Sequence, residues 1–134
     1  MELFKKIVDY FINEKDVQAV FVYGSYARGN PGPFSDIDLG LLMEASQKST
    51  ANKNCERYML ELSRVLRKDP HIVILNFAGE LLLKQVFSKG RCLLVKDQKA
   101  LSIYKMAAYA KIAEFGYYSR SIGKSFVQKV IQGQ

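Results

Sequence analysis

Two runs rich in β-branched, aliphatic and aromatic side chains, Val17–Tyr23 (VQAVFVY) and Asp36–Met43 (DIDLGLLM), stand on either side of a segment that no regular element can span. That segment, Tyr26–Ser35 (YARGNPGPFS), holds two glycines, two prolines and an asparagine, so it forms a turn or loop with at most one helical turn at its start. The flanking runs read as strands, the first buried on both faces, and Gly24-Ser25 is where the first one ends.

The other periodicities supply helices and two more strands. Leu3, Phe4, Ile7, Val8 and Phe11 recur at helical spacing and make residues 2–14 an amphipathic helix. Residues 44–54 are polar, a loop and helix start with Ser49 or Thr50 as candidate N-cap. Cys55, Met59, Leu62 and Leu66 follow at i, i+4, i+7 and i+11, the core stripe of a helix that stops before Pro70. His71–Leu75 (HIVIL) reads as a third strand, Glu80–Ser88 as a short helix ended by Gly90, and Cys92–Val95 as a fourth strand. From Lys99 to about Ile131 the chain is helical, with a break expected at Gly116 or Gly123. This order predicts an α/β (α+β) domain, a small four-stranded sheet with flanking helices, in which residues 1–98 form the core and 99–134 a helical extension of the same domain.

Length and charge narrow the function classes. A chain of 134 residues can bury a core without staples but has no room for two full domains. Its net charge of +7 is unevenly placed: residues 1–80 carry 10 basic and 11 acidic side chains, residues 81–134 carry 10 and 2. The basic residues of the C-terminal part are spaced out, which fits a solvated helix face at least as well as a nucleic-acid stripe. Two cysteines without C-x-x-C spacing, and a single histidine, support neither a disulfide framework nor a zinc site. With no stretch of about 18 apolar residues and no leader-like N-terminus, the expected location is the cytoplasm.

The chemistry lies where the first strand ends and the second begins. Asp36 and Asp38 are two apart on a strand, so their carboxylates share a face and can hold a hard divalent cation. Gly24 lets backbone amides approach a ligand, and Ser25 can offer its hydroxyl and N–H to a phosphate. Arg28 is placed to neutralise phosphate charge, and Ser35 to cap or position Asp36. A lone Gly-Ser or a lone Asp-x-Asp is common and says little. The two together, across a loop of ten residues, are the parts that phosphoryl or nucleotidyl transfer requires.

The stretch GSYARGNPGPFSDIDLGLL resembles the signature of the DNA polymerase β-type nucleotidyltransferase superfamily, and the short chain resembles its minimal nucleotidyltransferase (MNT) branch, the MntA-type antitoxins. LNFAGELLLKQVFSKGRCLLVKD and AYAKIAEFGYYSRSIGKSFVQKVIQG are similar to that branch's later strand–helix–strand unit and C-terminal helix. The resemblance implies the small mixed sheet of that fold, a triphosphate held at Gly24 and Ser25, and Mg²⁺ held by Asp36 and Asp38. It also implies a HEPN-type ribonuclease toxin (HepT) as partner in a hetero-oligomer, and transfer of AMP from ATP to a tyrosine of that toxin. Neither nucleic acid nor membrane is required.

One position departs from the pattern. The superfamily's third metal carboxylate falls, by register with Leu75-Asn76, on His71. His71 can serve as a neutral base, as a ligand for a metal softer than Mg²⁺, or as a strand residue without a role. Asp69 has the same strand parity and can substitute from two residues away, although Pro70 places it before the strand proper. If neither serves, the chain is a weak or inactive nucleotidyltransferase-like module that neutralises its partner by docking through its basic, aromatic C-terminal segment (Tyr109, Phe115, Tyr117, Tyr118, Phe126). Transfer onto a small molecule or an RNA end ranks last, because the chain is short for the substrate domain such relatives use.

Overall fold

The computed structural model describes residues 2–32, 36–44 and 47–132, with side chains in the last helix described through Glu114 and at Gly116. The elements run α1 (Glu2–Phe11), β1 (Val17–Tyr23), α2 (Ser25–Arg28), β2 (Ile37–Met43), α3 (Lys48–Leu66), β3 (Pro70–Ile74), a 3₁₀ turn (Leu75–Phe77), α4 (Glu80–Lys89), β4 (Arg91–Val95) and α5 (Gln98–Gln132). The sheet order is β3-β2-β1-β4. β1 is antiparallel to both β2 and β4, while β2 and β3 are parallel, so the sheet is mixed as expected. A parallel pair needs a crossover, and α3 supplies it.

Both sheet faces are covered, which explains why β1 is apolar at every position but Gln18. Val20, Val22, Ile37, Leu39, Leu41, Ile72 and Ile74 pack with α1 and α3 through Ile7, Phe11, Cys55, Tyr58 and Leu62. Ala19, Phe21, Tyr23 and Leu42 face the other way, onto Leu75, Leu83 and Val86 and, on α5, Leu101 and Ala108. Gly40 lies under Leu75, where a Cβ would come within 2.9 Å of the leucine side chain. Phe87 ties the second layer together: its ring centroid is 5.5 Å from that of Phe21 and 6.1 Å from that of Tyr104. The Tyr104 hydroxyl donates to the Leu75 carbonyl.

Several boundaries differ from expectation, each for a local reason. α1 ends at Phe11 rather than residue 14, and the Lys96 ammonium donates to the carbonyls of Phe11 (2.9 Å) and Glu14, supplying the cation that α1 lacks in its own last turn. α3 starts at Lys48 with Gln47 in the capping position and no side-chain cap bond; Ser49 and Thr50 lie inside the first turn. Its buried stripe is Ala51, Cys55, Tyr58, Leu62 and Leu66, with Met59 only packed at the margin, because Tyr58 is the residue that meets Phe11, at 5.4 Å between ring centroids. The break expected in the last helix does not occur: α5 runs through Gly116 and Gly123, a glycine costing a helix about 1 kcal/mol without ending it.

Asn76 continues the β2–β3 pairing after β3 has turned away. Its side-chain amide accepts from the Met43 N–H (2.9 Å) and donates to the Met43 carbonyl (2.8 Å). Asn76→Ala is expected to lower unfolding stability by about 1–3 kcal/mol, because both Met43 groups lose their partners. A urea midpoint equal to that of the parent chain would refute this role.

Candidate active site

The site grows out of the end of β1. Gly24 follows Tyr23 with φ 72° and ψ −150°, a conformation open to glycine and to essentially no other residue. A Cβ on Gly24 would stand 2.5 Å from the Asp38 Oδ2 atom. Two independent constraints, backbone angle and space, therefore fix glycine here. The chain then makes the single helical turn of α2, closed by Gly29 at φ 80° with its N–H directed to the carbonyls of Ser25 and Tyr26.

Asp38 is the centre of a row that crosses three strands. It pairs with Tyr23 across the antiparallel β1–β2 ladder and with His71 across the parallel β2–β3 ladder. Paired residues project from the same face, so phenol, carboxylate and imidazole stand side by side. His71 Nδ1 lies 3.4 Å from Asp38 Oδ1, and the two side chains are 66% and 32% exposed respectively. Tyr23 closes the buried end of the row. Burial, reinforced by the Asp38 carboxylate, pushes its phenol up to about 12.

Each expected site residue has a definite place except one. Gly24 and Asp38 are in contact distance, and half-buried Ser25 opens α2 directly after Gly24. Asp36 is exposed and lies just outside β2, which begins at Ile37, so the carboxylate pair straddles the strand end instead of sitting within the strand. Arg28 is exposed at the end of α2. Ser35 lies outside the described residues, as do the side chains of Phe115, Tyr117, Tyr118 and Phe126. Asp69 is exposed and precedes β3. Tyr109 is exposed on α5, 5.9 Å from Phe87. Sequence reasoning missed Tyr23 as a member of the row; its place opposite Asp38 follows only once the strand register is known.

Among the described residues, no group of three or more His, Cys, Asp and Glu side chains is placed to hold a metal ion. Two carboxylates at a strand end, beside a backbone cradle without a side chain, nevertheless suit a hard cation of the kind that takes one or two protein carboxylates and completes its shell with phosphate oxygens and water. No helix among the described residues is long and apolar enough to cross a membrane.

Two more phenols share the behaviour of Tyr23. Burial also pushes Tyr58 and Tyr104 up to about 12. An unfolded phenol ionises near pH 10, so the folded state holds these protons more tightly. Their contribution to stability is complete below about pH 10 and falls away as the pH climbs toward 12. Urea midpoints measured across that range should decline while tyrosinate absorbance rises with unfolding; phenols that all ionise near pH 10 in the folded chain would contradict the burial.

The fold and the Gly-Ser and Asp-x-Asp arrangement define a nucleotidyltransferase, and the family model "Polymerase beta, Nucleotidyltransferase" matches residues 5–99. The chain belongs to that family. Within it, the fold is that of MNT antitoxins of known structure. A toxin–antitoxin crystal structure with AMP-PNP superposes with a TM-score of 0.75 at 22% identity, covering 92% of this chain and 98% of that one. The MNT antitoxin complex with a tri-AMPylated HEPN toxin from Shewanella oneidensis gives 0.70 at 20% identity, covering 94% and 97%. An MntA-HepT toxin–antitoxin structure gives 0.69 at 19%, with coverage of 94% and 97%. No match was found among curated protein sequences.

Proposed function

We propose that the chain is a cytoplasmic antitoxin that transfers AMP from ATP to a tyrosine of a HEPN-type toxin, with which it forms a hetero-oligomer. The contact between Gly24 and Asp38 carries the reading, because it joins the two halves of the motif into one site. The similar structures support the substrate and partner: one holds AMP-PNP, and another pairs an MNT antitoxin with an AMPylated HEPN toxin.

In this reading Gly24 and Ser25 receive the triphosphate, with Arg28 and Ser35 as further nucleotide contacts. Asp36 and Asp38 would hold a divalent cation, Mg²⁺ by family resemblance, which when bound supplies charge neutralisation at the phosphates. The acceptor's phenolic oxygen attacks the α-phosphorus of ATP. The bond from that phosphorus to the oxygen bridging to the β-phosphate breaks, pyrophosphate leaves, and the phenolic proton is lost to the open, carboxylate-lined side of the site. His71 and Asp38 stand on that open side, whereas buried Tyr23 backs the row from within. The helical extension, residues 99–134, serves as the partner-facing part.

A second reading has one observation in its favour. His71 pairs with Asp38, and by family resemblance its position is that of a third carboxylate, so the chain can instead be a docking module with residual nucleotide binding. Calorimetric titration with ATP and Mg²⁺, followed by a pyrophosphate assay in the presence of the toxin, separates the two. Binding followed by release establishes the transferase; binding without release establishes the module.

A further inference from the structure

We propose that His71 is itself a metal ligand and that it turns the cation preference of this site from magnesium toward a borderline divalent transition metal of the Co²⁺, Ni²⁺ or Zn²⁺ class. The inference rests on the nucleotidyltransferase reading for the existence of a cation site at Asp38, and on the geometry of the row for the rest.

The two oxygens of Asp38 have different surroundings. Oδ2 is the atom that packs toward Gly24, whereas Oδ1 faces His71 Nδ1 at 3.4 Å. That separation is longer than a usual charge-assisted hydrogen bond, which is about 2.7–2.9 Å. It matches the edge of a coordination shell. With ligand bonds of about 2.1 Å, neighbouring donor atoms lie about 3.0 Å apart at octahedral angles and about 3.4 Å apart at tetrahedral ones. One ion can therefore seat between imidazole and carboxylate without displacing either strand. The parallel ladder fixes both Cα positions, so backbone pairing keeps the two side chains neighbours on one face of the sheet.

The donor chemistry then decides which ion. Magnesium dehydrates reluctantly and takes oxygen ligands, while imidazole nitrogen suits the later divalent metals, whose affinity rises along the series toward copper. A carboxylate at this position would give an all-oxygen site, and His71 makes it a mixed nitrogen and oxygen site.

The chain contains a single histidine, so its imidazole nitrogens give one unambiguous pair of ¹⁵N resonances. The test titrates the full chain, without nucleotide, with Zn²⁺ and separately with Mg²⁺, reading those resonances by NMR and affinity by calorimetry. Zn²⁺ should move the ¹⁵N resonance of one ring nitrogen while Mg²⁺ leaves both in place, and the ratio of Zn²⁺ to Mg²⁺ affinity at this site should fall about tenfold or more in His71→Asp. His71 is mostly exposed, so the variant should fold; unchanged far-ultraviolet dichroism verifies this. Imidazole resonances that ignore Zn²⁺, or an affinity ratio that His71→Asp leaves unchanged, would overturn the proposal. The readout does not depend on catalysis: a Zn²⁺ response in a chain that transfers no AMP keeps the metal assignment and removes the transferase reading, and AMP transfer without the response does the reverse.

Discussion

Asp38→Asn is expected to reduce AMP transfer by at least a hundredfold to a thousandfold while leaving the fold intact. Asp38 is the only residue in the described site that touches both of its halves: one carboxylate oxygen packs toward Gly24 and the other faces His71. Asparagine preserves the shape but removes the negative charge and one acceptor, and with them the hold on a divalent cation. Charge stabilisation of this kind contributes several kcal/mol to a transferring phosphoryl group, and each 1.36 kcal/mol is about a tenfold change in rate. Stability should change by only about 0.5 kcal/mol in either direction, since the side chain is partly exposed and stays polar. Incorporation of AMP labelled at the α-phosphate is the measurement; undiminished incorporation would remove Asp38 from the mechanism.

The second large effect is expected from Gly24→Ala, compared with Gly29→Ala. Both glycines have positive φ, 72° and 80°, so both alanine variants carry backbone strain of about 1–3 kcal/mol. Only at Gly24 does the added methyl meet an obstacle, the Asp38 carboxylate at 2.5 Å; at Gly29 nothing lies within 4 Å. Gly24→Ala should therefore lose more stability than Gly29→Ala, through both its backbone angles and the clash, and the two should differ in chemistry as well. Gly24→Ala should lower transfer about a hundredfold or more by pushing Asp38 aside, since misplacement of reacting groups by about 1 Å can cost that much. Gly29→Ala should stay near the parent rate. Equal activity losses in the two would show that strain in α2, and not the contact with Asp38, limits the reaction.

The four strands were legible in the residues because they differ so sharply from their connections. Val17–Tyr23 is apolar at every position but Gln18, and the structure shows why: each face packs against its own helical layer. The Gly/Pro loop and the stop before Pro70 were equally plain, since proline and glycine act on the local backbone whatever the tertiary context. Errors arose where tertiary partners decide. Lys96 completes the end of α1 from 85 residues away, and Tyr58 displaces Met59 from the centre of the α3 stripe because Phe11 faces it. Neither partner is visible in a local window.

The site divides in the same way. Gly-Ser and Asp-x-Asp were legible as two pieces at facing strand ends, because two strands joined by a loop of ten residues bring their ends together; that Gly24 packs toward Asp38 in particular depends on the strand register. The Tyr23–Asp38–His71 row was not readable, as it depends on the register of two ladders, one of them bridged by the 19 residues of α3. Asp36 illustrates the limit of parity arguments: two residues from Asp38, it falls one residue outside the strand and stays exposed.

The most direct test of the central claim is mass spectrometry of the HEPN toxin after incubation with this chain, ATP and a divalent cation. AMP should be attached to a tyrosine of the toxin, formed with release of pyrophosphate and absent with Asp38→Asn. A toxin that remains unmodified while the chain binds both it and ATP would contradict the proposed transfer.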